Sequence, residues 1–328
     1  MKVLVTGAGA LLGQGIIRTL QASALDVHIV AVDPNPLSAG LYWADEARIV
    51  PMANNPTYLE RISDIAQETR PDAILIGTDA ELGLFADHRA ELETALKTRI
   101  VVSSPEVVRI ADDKHETTRF LREHGFSFPR SALPENTKET DALVEGLGFP
   151  LIVKPRIGAR SVGVHLVEDR AALENAISNV DGPVIQEYLT NSGHEYTAGA
   201  LCFAGEVAAT IVMRRDLRDG NTYRAYVDAF DDLNLQTRIL ATALKPVGPA
   251  NFQFRLVDGR AVVFEINARF SGTTPFRMQA GFNEVEYTLR RMLLGERPAI
   301  PEIRPMTILR HWAETVVDTD SLIAEDLG

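Results

Sequence analysis

The chain of 328 residues holds a single cysteine, Cys202. One thiol makes neither an internal disulfide framework nor a cysteine metal cluster. No apolar run approaches the roughly 18 residues that a spanning helix needs. Lys2 and the glycine-broken apolar stretch after it read as strand and turn, not as a signal peptide, so the expected location is the cytoplasm, with no membrane partner. Positive charge is in short supply, 33 Lys and Arg against 45 Asp and Glu for a net charge of −12. That balance argues against nucleic acid or another extended polyanion as partner, although one phosphate-lined cleft needs only a few local cations. The Walker sequence Gly-x-x-x-x-Gly-Lys-Ser/Thr is absent, and no internal repeat is visible. None of the seven tyrosines has a lysine four residues on. What is present is ordinary for a soluble globular protein, 45% hydrophobic and 24% charged residues, with length for two or three subdomains.

The N-terminal third reads as alternating strands and helices. A β-branched run at 2–6 leads into Gly7-Ala-Gly9-Ala-Leu-Leu-Gly13, a helical pattern through Leu20, and a strand at 27–32 ending in Asp33. This is a Rossmann-type beginning. Gly9 and Gly13 either let the backbone approach an anionic ligand or serve a tight strand–helix turn. Alone, the motif suggests a nicotinamide-dependent epimerase or reductase, but such chemistry needs a Tyr-x-x-x-Lys pair, which is missing. A helix at 56–69 and a strand at 73–77 deliver Thr78, Asp79 and Glu81 to the carboxyl end of a parallel strand, where open α/β sheets bind ligands. Asp79 reads equally well as the N-cap of a helix beginning near Glu81.

The rest of the chain concentrates polar groups at strand ends. Asp112-Asp113-Lys114 opens a helix that stops at Gly125. A lysine there opposes the helix dipole, so it is either solvated or serves an anion. The apolar strand of 149–154 ends in Lys154, which must find an anion or reach water. The loop holding Gly158 and Gly163 can donate backbone N–H groups to phosphates. Strands at 196–203 and 206–213 turn at Ala204-Gly205 and end in Arg214-Arg215, followed by a polar loop, 216–224, that carries Arg224. Residues 249–269 read as a hairpin about a type I′ turn at Asp258-Gly259. Alternation puts Val263, Glu265 and Asn267 on one face of the return strand, and Gln253 and Arg255 on one face of the outgoing strand. Converging carboxylate and amide oxygens suit a hard Mg²⁺ beside phosphates and water, or a merely solvated face. A backbone-rich loop at 270–275, a helix at 284–294 and an acidic tail follow.

The sequence Glu265-x-Asn267-x-Arg269, preceded by Gly-Pro-x-Asn-x-Gln253, resembles the metal-binding end of ATP-grasp enzymes, and in particular the carbamoyl-phosphate synthetase large subunit and its stand-alone relatives. The order of Lys114, Lys154 with its flap, Val184-Ile-Gln-Glu187-Tyr188-Leu189 and the hairpin extends the likeness over most of the chain. The resemblance implies an α/β fold: a Rossmann-like pre-ATP-grasp domain over 1–110, a small lobe with helical linker and flap over 111–190, and a large lobe with metal site and tail over 191–328, the two α+β lobes clasping ATP. It implies that Glu265 and Asn267 bind Mg²⁺ (or Mn²⁺), with Gln253 a weaker ligand where many members have a second carboxylate. By the same resemblance Lys154 serves the α- and β-phosphates, Lys114 reaches the phosphates, and Arg160, Ser161 and the loop cover the nucleotide. The backbone at Glu187, Tyr188 and Leu189 reads adenine, and Glu195 binds the ribose. Arg215, or its neighbour Arg214, meets the γ-phosphate, and Arg269 stabilises the phosphorylated substrate. Gly9, Asp79, Glu81 and Arg224 are substrate candidates. The implied activity is an ADP-producing carboxylate–amine ligase acting through an acyl phosphate on a small amino-acid-like substrate, in one synthetase unit and commonly as a homodimer. The alternative is an ATP-binding sensor or scaffold without turnover.

Overall fold

Three sheets carry the chain, and the site forms where they meet. The computed structural model describes residues 1–158, 162–189, 194–297, 299 and 302–323. Arg160 and Ser161, and residues 324–328 of the acidic tail, therefore lie outside the described residues.

The first sheet is parallel, in the order β3-β2-β1-β4-β5, built from β1 (Lys2–Val5), β2 (His28–Asp33), β3 (Glu46–Ile49), β4 (Ala73–Leu75) and β5 (Arg99–Val101). Helices α1 (Leu11–Gln21), α2 (Tyr58–Thr69) and α3 (Leu82–Leu96) connect its strands, and α4 (Pro105–Asp112) follows the last of them. Val3, Leu4, Val5 and Val30 are fully buried, as expected of parallel strands covered on both faces. Next comes α5 (Lys114–Glu123), capped by Asp113, whose Oδ1 accepts from the backbone N–H of His115 at 2.8 Å. Asp113 also accepts from Arg156 Nη2 at 2.5 Å, which ties the helix start to the exit of a strand in the second sheet.

That second sheet is antiparallel, in the order β6-β9-β7-β8, with β6 (Ser131–Ala132), α6 (Thr137–Leu147), β7 (Leu151–Pro155), β8 (His165–Val167), α7 (Arg170–Asn179) and β9 (Pro183–Glu187). The third is antiparallel with six strands, β14-β13-β10-β11-β12-β15. Its elements are β10 (Glu195–Phe203), β11 (Glu206–Arg218), β12 (Asn221–Val227), α8 (Asp231–Leu244), β13 (Gly248–Val257), β14 (Arg260–Asn267), α9 (Thr274–Gln279), α10 (Glu284–Leu293) and β15 (Met306–Leu309). One face packs on α8, α4 and α5 through Phe252, Ile266 and Leu240, the other on α9 and α10 through Ile211, Phe276 and Phe282. Burying each such side chain contributes about 1.5–3 kcal/mol.

Two expectations change here. Residues 216–224 do not form a loop: β11 runs on to Arg218, turns at Asp219-Gly220, and returns as β12, so Arg224 sits on a strand. Both turn residues have positive φ (51° and 72°), as do Ala204-Gly205 (51° and 80°) and Asp258-Gly259 (49° and 75°). All three are type I′ hairpin turns. The second change is in register. Gln253 pairs with Glu265 but Phe254 pairs with Val263, so a bulge at Phe264 separates them. The extra residue flips the alternation, and Val263 joins the core with Phe254 instead of sharing a face with Glu265 and Asn267.

Candidate active site

A cavity of about 540 Å³ lies between the three sheets. Lys154, Lys114, Glu187, Tyr188, Leu189, Glu195, Arg215, Gln253, Glu265, Arg269 and Asp79 all reach its wall. Counting every ionisable side chain in the lining, six cations face four carboxylates. A protein of net charge −12 has thus concentrated positive charge at one place, as a polyphosphate pocket requires.

The lysines arrive from two directions. Lys154 ends the apolar run of β7 at 9% exposure and makes no hydrogen bond or ion pair among the described residues. Burial pushes its ammonium down to about 8, nearby Lys114 adds to the effect, and Glu265 opposes it. Lys114 Nζ donates to the carbonyls of Arg156 (3.2 Å) and Gly158 (2.8 Å), fastening the start of the glycine loop. A phosphate near Lys154 favours the ammonium, so the complex holds its proton to higher pH than the free protein. Affinity for Mg·ATP is therefore expected to be level below about pH 7 and to weaken as pH rises through about 8, by up to about tenfold per pH unit. Equilibrium titration at several pH values measures this, and Lys154→Arg, always charged, should flatten the profile.

The third sheet supplies a cross-strand row. Glu195 on β10 faces Arg215 on β11 and Arg255 on β13. Its Oε1 accepts from Arg215 Nη2 at 2.5 Å and its Oε2 from Arg255 Nη2 at 3.0 Å. Gln253 Oε1 also accepts from Arg215 Nη2, at 2.5 Å, so that amide oxygen is turned to a guanidinium rather than towards Glu265. Arg214 points the other way and stacks over Tyr226, 3.8 Å from the ring centroid, so of these two neighbours it is Arg215 that reaches the cavity wall.

On β14 the three motif residues are chained together. Asn267 Nδ2 donates to Glu265 Oε1 (3.1 Å), and Arg269 Nη2 donates to Asn267 Oδ1 (2.9 Å). Arg269 then grips Asp79 with two bonds, Nε to Oδ1 at 2.6 Å and Nη2 to Oδ2 at 3.2 Å. This pair joins the first sheet to the third, and it makes Asp79 a partner of Arg269 rather than a helix cap. No cluster of three or more His, Cys, Asp or Glu suited to a metal occurs among the described residues. The donor set of Glu265 with the Asn267 amide nevertheless fits Mg²⁺, which keeps water and phosphate oxygens and needs only one or two protein carboxylates. A second cavity of about 440 Å³ opens beyond Glu265 and Lys114, lined also by Asp112 and Asn267.

Three substrate candidates from the sequence lie outside the lining. Glu81 is 4% exposed and structural. It completes a capping box with Thr78, the true N-cap, and accepts from Thr6 Oγ1 at 2.8 Å and from Tyr58. Gly9 is enclosed: a Cβ there would stand 2.2 Å from Ser38 Oγ, and its N–H donates to Asp33 Oδ2 at 2.7 Å. Ala10, Leu11 and Leu12 reach the cavity in its place. Arg224 is half exposed beside Asp216. Asp33, the acid that a dinucleotide ribose would need, is committed to Gly9, Asn35 and Ser38. Cys202 is buried and its thiol pushed up to about 12, which suits a core residue. Sequence reasoning missed Arg255 and Arg310 as cavity residues, although Arg255 shares a strand face with Gln253.

This arrangement, a Rossmann-like sheet followed by two antiparallel sheets clasping a basic cleft, has counterparts. Residues 3–100 match the PylC-like, N-terminal domain; 111–245 match the RimK-like ATP-grasp domain; 181–315 match the family described as ATP-grasp in the biosynthetic pathway with Ter operon. The chain is an ATP-grasp protein with a PylC-like N-terminal domain. It is similar to the carbamoyl phosphate synthase large chains of Methanosarcina barkeri (24% identity, 84% of this chain and 28% of the relative) and Methanocorpusculum labreanum (24%, 91% and 30%). It spans less than a third of the length of those relatives. Among solved structures, the biotin carboxylase domain of Hydrogenobacter thermophilus 2-oxoglutarate carboxylase, in complex with MgADP, ADP and bicarbonate, superposes with TM-score 0.73 at 20% identity (93% of this chain, 72% of that one). Staphylococcus aureus N5-carboxyaminoimidazole synthetase complexed with ADP gives 0.73 at 16% identity (94% and 81%). At those identities the likeness is one of fold. No helix among the described residues is long and apolar enough to cross a membrane.

Proposed function

We propose that this chain is an ATP-dependent ligase that activates a small carboxylic acid as an acyl phosphate and passes the acyl group to an amine or comparable nucleophile. The observation that carries the reading is the convergence of Lys114, Lys154, Glu265 and Arg269, drawn from three separate parts of the chain, on one cavity. Nucleotide binding alone would not need Arg269 beside Glu265 and Asn267.

In this reading the carbonyls and amides from the end of β9 onward (Glu187 to Leu189) read the adenine edge and Glu195 faces the ribose. Lys154 and Lys114 hold the phosphates, and Arg215 meets the γ-phosphate. Mg²⁺, when bound through Glu265 and Asn267, neutralises charge on the β- and γ-phosphates. A carboxylate oxygen of the acid attacks the γ-phosphorus, the bond to the β,γ-bridging oxygen breaks, and ADP leaves with that electron pair. The nucleophile's nitrogen then attacks the acyl carbon, phosphate departs, and the excess proton on nitrogen passes to solvent. Arg269, held in orientation by Asp79, stabilises the oxyanion of this second step. Of the structures that share the fold, one is in complex with bicarbonate and one is named for a carboxylated product, which supports a carboxylate as the phosphoryl acceptor.

The decisive assay offers Mg·ATP, hydroxylamine and a panel of carboxylic acids, and follows ADP and hydroxamate. Hydroxylamine intercepts an acyl phosphate whatever the natural nucleophile. Acid-dependent hydroxamate equal to ADP is the expected result. Bound Mg·ATP with no ADP from any acid would transfer the case to a non-catalytic sensor or scaffold.

A further inference from the structure

One arginine of the cavity wall has no counter-charge. Arg215 and Arg255 share Glu195, and Arg269 has Asp79. Arg310, which leaves β15 and enters the same wall, has no carboxylate partner among the described residues. Its Nη2 donates to the carbonyl of Gly272, and its guanidinium lies 4.7 Å above the Phe276 ring centroid. Its Nη1 is fully buried and has no hydrogen-bond partner. Burial lowers its pKa, and Arg18 adds repulsion. A partly buried guanidinium without an anion is costly to keep, and an anionic ligand in the cavity would offset that cost.

Its position says which ligand. The loop after β14 is flanked by two guanidiniums: Arg269 donates to the carbonyl of Phe270 at its start, and Arg310 to that of Gly272 two residues on. The first is neutralised by Asp79 and adjoins Glu265 and Asn267, where phosphoryl transfer is placed above. The second is uncompensated and shares the cavity wall with Leu11 and Thr273. Gly272 itself packs on Leu11, so Arg310 sits where the first sheet closes the cavity.

We propose that Arg310 binds a second anionic group of the acid substrate, so that the enzyme takes a carboxylic acid bearing two anionic groups, one that reacts and one held by this arginine. The inference rests on the ligase reading for which carboxylate reacts, but its test requires no turnover. A planar guanidinium with an unbonded nitrogen suits a carboxylate in bidentate geometry, reached by a small turn of the side chain into the cavity.

The experiment is saturation-transfer NMR on the full chain loaded with Mg²⁺ and a non-hydrolysable ATP analogue, against matched mono- and dicarboxylic acids. Dicarboxylates are expected to bind the wild type better than their monocarboxylate counterparts. Arg310→Gln should weaken the dicarboxylate by about tenfold or more with nucleotide affinity unchanged, and Arg310→Lys should fall between. Should Arg310→Gln fold poorly through loss of the Phe276 contact, phenylglyoxal modification of the wild type, mapped by mass spectrometry, asks whether a dicarboxylate protects Arg310. Equal dicarboxylate binding by Arg310→Gln, preference for monocarboxylates, absence of acid binding by the wild type, or no protection would each overturn the proposal. Hydroxamate formation from monocarboxylates alone would do so while leaving the ligase reading intact.

Discussion

Glu265→Ala is expected to lower acid-dependent ADP release by about 10³-fold or more while the protein stays folded. The two halves of that expectation have separate grounds. Glu265 is only partly buried, pairs across the hairpin with Gln253, and faces the cavity, whereas the core side is built by Val263 and Ile266 of β14 and by Ala268 just after it. Truncation therefore opens no core void, and a stability change within about 0.5–1 kcal/mol follows. The chemical loss follows because Glu265 is the one carboxylate in the Glu265–Asn267–Arg269 chain, and the neighbouring oxygen of Gln253 is directed at Arg215. Glu265→Gln sharpens the test, since it preserves volume and the bond from Asn267 but removes the charge. A comparable loss in Glu265→Gln, together with a raised Mg²⁺ requirement, would assign the effect to metal binding. Near wild-type turnover with an unchanged Mg²⁺ dependence in both variants would take Glu265 out of that role.

How far the sequence could be read depended on whether the deciding interaction was local. Asp258-Gly259 announces its hairpin because the dipeptide itself tolerates positive φ at both positions. Asp219-Gly220 carries the same signal, yet the polar run around it reads as loop, since polar Arg218, Asn221 and Arg224 leave little alternation to detect. Lys114 and Lys154 stood out because each is out of place for its element, a cation at a helix start and a charge at the end of a buried strand. Position along a strand was less reliable. The bulge at Phe264 reversed the face of Val263 without any glycine or proline to mark it. Least legible were pairings between distant residues. Arg269 meets Asp79 across 190 positions, Glu81 is drawn into the core by Thr6 and Tyr58, and Arg310 reaches the cavity from a strand that added nothing to the motif pattern. The fold follows from periodicity and turns, while the ownership of each charge is settled only by tertiary packing.

The largest loss of stability is expected at a pair that touches no proposed ligand. Arg277 on α9 and Glu284 at the start of α10 are both fully buried, with Arg277 Nη1 donating to the Glu284 oxygens at 3.0 and 2.9 Å. Arg277 Nη2 also donates to Asn251 Oδ1 at 2.5 Å, and the same oxygen accepts from Thr197 Oγ1 at 2.7 Å. Thr274 Oγ1 donates to Glu284 as well. Asn251 and Thr197 line the cavity, so this network supports the floor of the proposed active site from beneath the third sheet. Arg277→Met would leave Glu284 charged in the interior with only a hydroxyl for company. Breaking such a pair on one side typically costs about 3–5 kcal/mol, a large part of the roughly 5–15 kcal/mol that holds a domain folded. Urea unfolding should show that loss as a lower midpoint at unchanged slope. Arg277→Met combined with Glu284→Leu removes both charges, and should be less destabilised than Arg277→Met alone. Gly199→Ala approaches the same network from the sheet, since a Cβ there would lie 2.5 Å from Arg277 Cζ, and the guanidinium is fully buried and held by Glu284 and Asn251. A loss below about 1 kcal/mol in Arg277→Met, or a double variant worse than the single one, would mean that the interior solvates Glu284 by another route. In that case the support of Asn251 would have to come from the strand pairing of β13 with β10 and β14 and not from the ion pair.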